Sequence, residues 1–295
     1  MPARFILTFD CEGKWGVADH LARRHRRELG EVRLREAYQS IVAVLDEFSI
    51  PATFAFVGAF TQSPTDFARV RPAIEEIGRN APNYIGPALR DLDETGGSGW
   101  HGHHLVDLVG AARAKHEIAL HGVTHVPWTD LDEASVGAEL ALLQQLEGPI
   151  RLSKTFVYPR NRVAHSNELA KHGFAGFRAA RTRSRFRSLL SEFNLFEAPD
   201  RRRPPNGIVQ IPAGFFLNWR AGARLLVPPA VTQVRAERLL KTAAADDGVV
   251  HYWLHPENVA SAPSTLSLLQ RLARNVAAAR EAGNCEVTTQ LGYCR

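Results

Sequence analysis

Acidic and histidine side chains stand directly after three of the apolar, strand-like runs in this 295-residue chain. They are Asp10 and Glu12 after the first run, His121 and His125 at the third, and His255 at the seventh. Imidazole nitrogens and carboxylate oxygens bind divalent metal ions, and the same groups transfer protons. The residue types therefore indicate metal-assisted hydrolysis, provided that the fold brings these strand ends together.

His121 and His125 are four residues apart, so on one helical turn both imidazoles would face the same way. The chain has twelve histidines, and such pairs also arise by chance. Two histidines and one carboxylate leave open positions on a divalent ion, as a catalytic site needs. The sequence therefore predicts a metal held by this pair and by a carboxylate from the first strand end.

Asp10 and Glu12 share one side of an extended segment, because alternate residues of a strand point the same way. One carboxylate would bind the metal, and the other would take a proton from water. The alternative is that one of them caps a loop or helix. Cys11 would point to the opposite side of the segment, which disfavours it as a metal ligand.

Eight short apolar runs alternate with helical stretches, which predicts βαβ units and a mainly parallel sheet. The strand candidates are Phe5–Phe9, Ala52–Val57, Glu117–His121, Thr155–Pro159, Gly173–Arg178, Ile208–Pro212, Val249–His255 and Glu286–Leu291. Helical spacing is clear from Ala37 to Phe48, from Val136 to Leu143 and from Leu266 to Val276. So many strands in one domain, residues 1–295, favour a closed (β/α) barrel, with an open doubly wound sheet as the alternative. In parallel barrels, working residues lie at the carboxyl ends of strands.

Two segments interrupt this rhythm. Thr61–Gly99 contains several prolines and is expected to be a long inserted loop with one helix around Arg71–Arg79. Arg178–Arg203 holds eight arginines against three acids, an excess equal to the formal net charge of +5. It is either a solvated basic loop or a site for phosphate groups. Nothing in it matches a nucleic-acid-binding motif.

The chain also lacks the patterns of several other protein classes. No apolar leader and no apolar run of about 18–20 residues is present, which argues against export and membrane insertion. The three cysteines are typical of reduced thiols. We therefore expect a cytoplasmic protein. The absence of Gly-x-Gly-x-x-Gly and P-loop motifs disfavours a nucleotide cofactor.

Five short segments, in order, resemble the polysaccharide deacetylases, also called the NodB-homology family or carbohydrate esterase family 4. The segments are Thr8–Asp10, Pro51–Gly58, His116–His125, Gly173–Arg178 and Leu254–His255. The resemblance implies a distorted (β/α) barrel of about seven strands and a divalent metal, commonly Zn²⁺. It also implies an aspartate base and a histidine acid.

Carried over by position, Asp10 would be the base, His121 and His125 metal ligands, and His255 the acid. The family usually has two adjacent aspartates, the second on the metal; Cys11 stands in that place here, so the metal is assigned to Glu12. The exchange of roles between Asp10 and Glu12 stays open.

The remaining motifs depart further from the family. Tyr158–Asn161 replaces the usual Arg-x-Pro-x-Gly, so Arg160 is expected to supply its charge from a shifted position and to bind substrate. No clear copy exists of the Asp-Trp pair that orients the acid; Asn218-Trp219 and Glu257 are candidates. Trp15 is a candidate for stacking on a sugar ring, with core packing as the alternative.

These observations together predict a metal-dependent hydrolase that removes an N-acetyl or N-formyl group from an amino sugar. The departures indicate a divergent branch, and a nucleotide- or lipid-linked sugar in surface-polysaccharide biosynthesis would suit the arginines. One alternative is an amidohydrolase of a non-sugar amide, such as a ureide or imide. The other is a non-catalytic sugar-binding barrel.

Overall fold

A computed structural model describes residues 2–181, 191–195, 197–201 and 207–295. One curled sheet runs through this part of the chain. Its strands are β1 (Ala3–Cys11), β2 (Thr53–Phe56), β3 (Glu117–Leu120), β4 (Thr155–Val157), β5 (Gly176–Arg178), β6 (Asp200–Arg201), β7 (Val209–Ile211), β8 (Phe215–Phe216), β9 (Gly248–Leu254) and β10 (Cys285–Thr288). All eight predicted strands are present, while the two-residue strands β6 and β8 were not predicted.

The strand order is β6-β9-β1-β2-β3-β4-β5-β7, and β10 also pairs with β1. Every described pairing is parallel except that of β6 with β9. One stretch of chain connects the two ends of the curled sheet. Strand β7 pairs with β5, and β8, which follows a few residues later, pairs with β9. The expected distorted (β/α) barrel of mainly parallel strands is therefore confirmed.

Helices cover the outside of the sheet. In the described chain they are α1 (Arg23–Glu28), α2 (Glu31–Glu47), α3 (Pro64–Asn80), α4 (Pro82–Thr95), α5 (His103–Gly110), α6 (Glu133–Leu143), α7 (Ser166–Lys171), α8 (Pro229–Ala245), α9 (Pro256–Ser261), α10 (Thr265–Glu281) and α11 (Gln290–Tyr293). None of these helices is both long and apolar enough to cross a membrane.

Thr61–Gly99 was predicted as a long loop with one helix around Arg71–Arg79. That helix is present within α3, but the segment as a whole is mostly helical, so the prediction of a loop was wrong. Ser63 caps α3 by accepting a hydrogen bond from the backbone N–H of Asp66, and Pro64 occupies the first turn. The apolar residues of α3 recur at helical spacing and are buried: Phe67, Val70, Ile74 and Ile77. Prolines in the segment were therefore helix starts or tolerated interior positions rather than loop markers.

The strand alternation of β1 separates the two sides of the barrel wall. Its odd-numbered residues Phe5, Leu7, Phe9 and Cys11 pack in the main core beneath the helices. Ile6 packs inside the barrel with residues of β7, β9 and α11. The next inward positions are Thr8 and Asp10, so β1 runs from an apolar floor to a polar upper end.

A buried hydrogen-bond network ties α11 into the barrel interior. The side-chain amide of Gln290 donates to Thr8 Oγ1 at 3.1 Å, and Thr8 Oγ1 lies 2.7 Å from His251 Nε2. His251 Nδ1 lies 2.6 Å from the carbonyl of Pro212, which can only accept, so Nδ1 carries the proton. Thr8 therefore donates to His251, and each hydrogen bond of this network has one donor and one acceptor.

Candidate metal centre

Three side chains converge at the carboxyl ends of β1 and β3. Glu12 Oε1 lies 3.0 Å from His121 Nε2 and 3.0 Å from His125 Nε2. All three ligand atoms lie within 4.8 Å of one another. The structure thus brings together the three residues that the sequence proposed as metal ligands.

The hydrogen-bond chemistry of this cluster suits a cation. His121 Nδ1 lies 2.8 Å from the carbonyl of Val157, so it donates its proton there and Nε2 presents a lone pair to Glu12. Burial lowers the pKa of His125, which favours the neutral imidazole that a metal ligand requires. Ligand atoms about 3.3 Å apart are expected around a tetrahedral ion with bonds of about 2.0 Å. The 3.0 Å separations and the nitrogen–oxygen donor set therefore fit a divalent metal.

The two histidines are positioned by a loop and not by a helical turn. Residues 121–125 follow β3 without helical structure, so the helical reasoning for their shared direction was wrong. Gly122 has φ +71°, and a Cβ there would lie 2.9 Å from the Pro159 ring. His125 also has a positive φ of 62°, an uncommon backbone state for a residue with a side chain. These two left-handed residues turn both imidazoles toward Glu12.

Glu139 of α6 anchors this loop through hydrogen bonds. Its carboxylate is fully buried and accepts hydrogen bonds from the backbone N–H of Thr124 at 3.0 Å and of Val123 at 3.4 Å. The hydroxyl of Thr124 and the indole N–H of Trp128 also donate to it. The four donors explain why a buried carboxylate is tolerated, and they fix the backbone that carries His125.

A glycine lets the Glu12 carboxylate take up its position. A Cβ built on Gly16 would lie 1.8 Å from Glu12 Oε2, so no side chain fits there. The backbone of Glu12 is held as well, because Glu257 Oε1 accepts from the N–H of Glu12 at 3.1 Å and of Gly13 at 2.6 Å. Burial, followed by the nearby Glu12 carboxylate, raises the pKa of Glu257 to about 7.

Asp10 lies beside the cluster in a buried pair with Arg178. Arg178 Nη1 and Nη2 donate to the two carboxylate oxygens at 2.7 and 2.6 Å, and Nη2 also donates to Asn161 Oδ1 at 2.8 Å. The guanidinium lies over the Trp253 ring, 4.8 Å from its centroid. Burial acts to raise the pKa of Asp10, but the charge and hydrogen bonds of Arg178, together with the charges of His121 and His255, outweigh it and the pKa is lowered. Asp10 is therefore an ionised carboxylate within reach of the cluster.

His255 and Cys11 lie on opposite sides of the site. His255 Nδ1 is 3.4 Å from Glu12 Oε1, and its ring lies against Trp253 and Phe216. Cys11 is fully buried in the main core. Burial raises the pKa of the Cys11 thiol well above its usual value. Cys11 thus points away from the ligand cluster, as its place in the strand predicts.

Arg178 is a candidate site residue that sequence reasoning missed. The motif comparison assigned the missing family charge to Arg160, yet the cation in contact with Asp10 is Arg178. Arg160 donates instead to the carbonyl of Gly16 and to Asp19. Its position could have identified it, because Arg178 lies at the end of a strand, as Asp10 does. The many neighbouring arginines made this one residue hard to single out.

Three other candidates occupy structural positions. Trp15 is only 2% exposed, donates to the carbonyl of Trp100 and packs against the Trp100 ring, so it lies in the core. Asn218 is buried and donates to the carbonyl of Arg224, while Glu257 bonds to backbone as described above. Trp15 thus packs in the core, which was the alternative interpretation for it. Among the described residues, neither Asn218 nor Glu257 forms a hydrogen bond with the His255 ring, although the charge of His255 acts on Glu257 to lower its pKa.

The catalytic candidates share one cavity of about 250 Å³, lined by Asp10, Glu12, Gly16, His20, His121, Arg160, Asn161 and His255. A larger cleft of about 1020 Å³ adjoins it, and Arg160, Asn161 and His255 line both. The cleft also carries aromatic rings, among them Phe216, Trp219 and Trp253. The site therefore has a small reaction chamber open to a larger, partly aromatic groove.

The chain is similar to known proteins in its fold. No protein-family model matches it, and no curated protein matches it. A solved structure of a candidate polysaccharide deacetylase from Mycobacterium smegmatis aligns with 99% of this chain and 89% of its own, with 16% identity and a TM-score of 0.60. The structure of the PuuE allantoinase aligns over the same shares, with 15% identity and a TM-score of 0.56. These likenesses show a shared fold and confirm, at that level, the resemblance seen in the sequence.

Proposed function

We propose that this chain is a metal-dependent deacetylase that removes an N-acyl group, acetyl or formyl, from an amino sugar. The observation that carries the proposal is the placement of Glu12, His121 and His125 around one point, with Asp10 and His255 in the same cavity. Three protein ligands that leave a position open are typical of catalytic zinc sites. Zn²⁺ is accordingly the ion we propose.

The reaction is the addition of water to the acyl carbonyl and the cleavage of the C–N bond, which yields a carboxylic acid and a free amine. A divalent cation held by the three ligands would acidify the attacking water and polarise the carbonyl. Asp10 accepts the proton of the water, since Arg178 keeps its carboxylate ionised. His255, on the other side of Glu12, donates a proton to the departing amine.

The fold supports this proposal and also its main competitor. A candidate polysaccharide deacetylase and an allantoinase have the same fold as this chain at nearly equal identity. Both names are those of enzymes, which supports a catalytic barrel over a non-catalytic sugar-binding one. The aromatic groove beside the reaction chamber favours a sugar, because aromatic rings offer apolar surface for stacking.

A nucleotide- or lipid-linked sugar in surface-polysaccharide biosynthesis remains a proposal with narrower support. Its phosphates were expected on the Arg178–Arg203 segment, and most arginines of that segment lie outside the described residues. Of the described ones, Arg178 is paired with Asp10, and Arg181 is paired with Glu197 and Asp200. The proposal therefore depends on Arg201, which is exposed in β6, and on the arginines outside the described residues: Arg183, Arg185, Arg187, Arg202 and Arg203.

Metal analysis followed by a screen for released acid tests the function. The purified protein should contain one divalent ion per chain, and His125→Ala should lose most of it. Zinc-loaded protein should release acetate or formate from at least one N-acyl amino sugar. Full metal occupancy in His125→Ala would show that the site is wrong.

Two further variants separate the roles of the carboxylates and of the acid. Asp10→Asn and His255→Ala should keep the metal while each loses roughly 10²–10⁴-fold in turnover, the usual contribution of one acid–base group. Loss of metal in Asp10→Asn, with retention in Glu12→Gln, would reverse the two carboxylates. Turnover of allantoin or a cyclic imide, with none of any amino sugar, would select the non-sugar amidohydrolase.

A further inference from the structure

Besides His121 and His255, a third histidine lines the reaction chamber, and the proposed chemistry does not use it. His20 ends the 3-10 helix Gly13–His20, which follows Glu12 directly, and its side chain is half exposed. His20 is one of the residues around the 250 Å³ cavity, as His255 is. It is absent from the described cluster of metal-ligating side chains.

The orientation of His20 is set by a chain of polar contacts. His20 Nδ1 lies 2.6 Å from Asp19 Oδ1, and Arg160 Nη2 donates to the same oxygen at 2.6 Å. Arg160 Nη2 also donates to the carbonyl of Gly16 at 3.0 Å, which anchors the arginine to the helix that carries both residues. Because an aspartate oxygen only accepts, Nδ1 donates to Asp19, and in that tautomer Nε2 is left as an acceptor.

We propose that His20 is a substrate-contacting residue that accepts a hydrogen bond from a hydroxyl group of the sugar. This proposal rests on the proposed function and adds a specificity determinant to it. Asp19 and Arg160 are positioning residues, since they act through the ring. The contact would distinguish a sugar that carries the hydroxyl from a deoxy analogue that lacks this donor.

A hydroxyl suits the local charges better than an anion does. The Arg160 guanidinium is neutralised by Asp19, which lies between it and the imidazole, so the three groups together offer no excess positive charge. A neutral imidazole nitrogen is a good acceptor for an O–H donor, and sugars carry several of them. A site that hydrogen-bonds a hydroxyl also discriminates well against analogues that lack it, because these leave the acceptor unpaired.

The test measures binding and turnover separately on zinc-loaded protein. The probes are N-acetyl-D-glucosamine and its 3-deoxy, 4-deoxy and 6-deoxy analogues, with Kd from calorimetry and kinetics from acetate release. His20→Ala should raise Kd and KM about three- to tenfold, the effect of one hydrogen bond, with kcat nearly unchanged. One deoxy analogue, which lacks the contacted hydroxyl, should bind the wild-type protein about three- to tenfold more weakly than the parent sugar does. Its Kd should be the same for the wild-type protein and for His20→Ala. His103→Ala, at an exposed helical histidine, is the matched control.

Asp19→Asn tests the positioning. Asp19→Asn alone should raise Kd less than His20→Ala does. In the double variant, Kd should be close to that of His20→Ala alone. An unchanged Kd in His20→Ala, or equal losses for all four sugars, would overturn the proposal. A fall in kcat with a shifted pH profile would make His20 a proton carrier and overturn it as well.

The two proposals fail in different ways. Sugar binding that depends on His20, without release of acid by the wild-type protein, would refute the deacetylase and leave the hydroxyl contact standing. Acid release with binding indifferent to His20 would do the reverse. Neither binding nor turnover of any of these sugars would overturn both.

Discussion

Breaking the Asp10–Arg178 pair should cost more stability than breaking any exposed ion pair of this protein. Both side chains are at most 1% exposed, and two hydrogen bonds join them. Arg178→Met keeps an apolar stem but leaves a buried carboxylate without its counter-charge. Removing one partner of such a pair costs about 3–5 kcal/mol. Urea denaturation at pH 7 and a fixed zinc concentration would measure this loss.

The double variant Asp10→Asn/Arg178→Met sharpens the test. It removes both charges, so it should be clearly more stable than Arg178→Met alone, with a coupling of about 1–3 kcal/mol. Arg160→Met is the matched control, since Arg160 and Asp19 are both about 30% exposed. It should cost about 1 kcal/mol or less. Equal losses for Arg178→Met and Arg160→Met, or no recovery in the double variant, would refute the reasoning.

Three further variants probe how the ligands are held. Gly16→Ala should displace Glu12 and abolish metal binding with unchanged circular dichroism, whereas Gly137→Ala, with open space around its Cβ, should keep the metal; retained metal in the first would contradict the clash. Cys11→Ala should keep full metal content, and loss of metal from a folded variant would make Cys11 a ligand. Glu139→Gln places an amide N–H₂ group against the N–H donors of the loop, so it should weaken metal affinity about 10–100-fold. An unchanged metal Kd would count against the anchoring role of Glu139.

The strands and the ligand cluster could be predicted because they depend on local signals. Apolar runs marked every long strand, and the polar residues at strand ends converge in any parallel barrel. Glu12 could be preferred over Cys11 from alternation along one strand alone. The barrel geometry then brings Glu12 to His121, over a sequence separation that no local pattern covers.

The remaining features depend on contacts between distant segments. Arg178 carries no mark in the sequence that separates it from its neighbouring arginines, because its role depends on burial against Asp10. The approach of His125 to Glu12 depends on a left-handed backbone and on Glu139, neither of which residue spacing reveals. The misassigned Thr61–Gly99 segment is different, since Ser63, Pro64 and the apolar spacing of α3 were visible, and proline was weighed too heavily as a loop former.

The pairing of β1 has a consequence for how the protein folds during synthesis. Ala3 pairs with Cys285 and Arg4 with Val249, so the strand that is made first finds two of its neighbours only after residues 248–288 exist. A shorter nascent chain would expose one edge of β1, and open strand edges favour aggregation. Glu12 also lacks its Glu257 contact until then. Barrel completion and assembly of the ligand cluster should therefore coincide as one late step, at high contact order and correspondingly low folding rate.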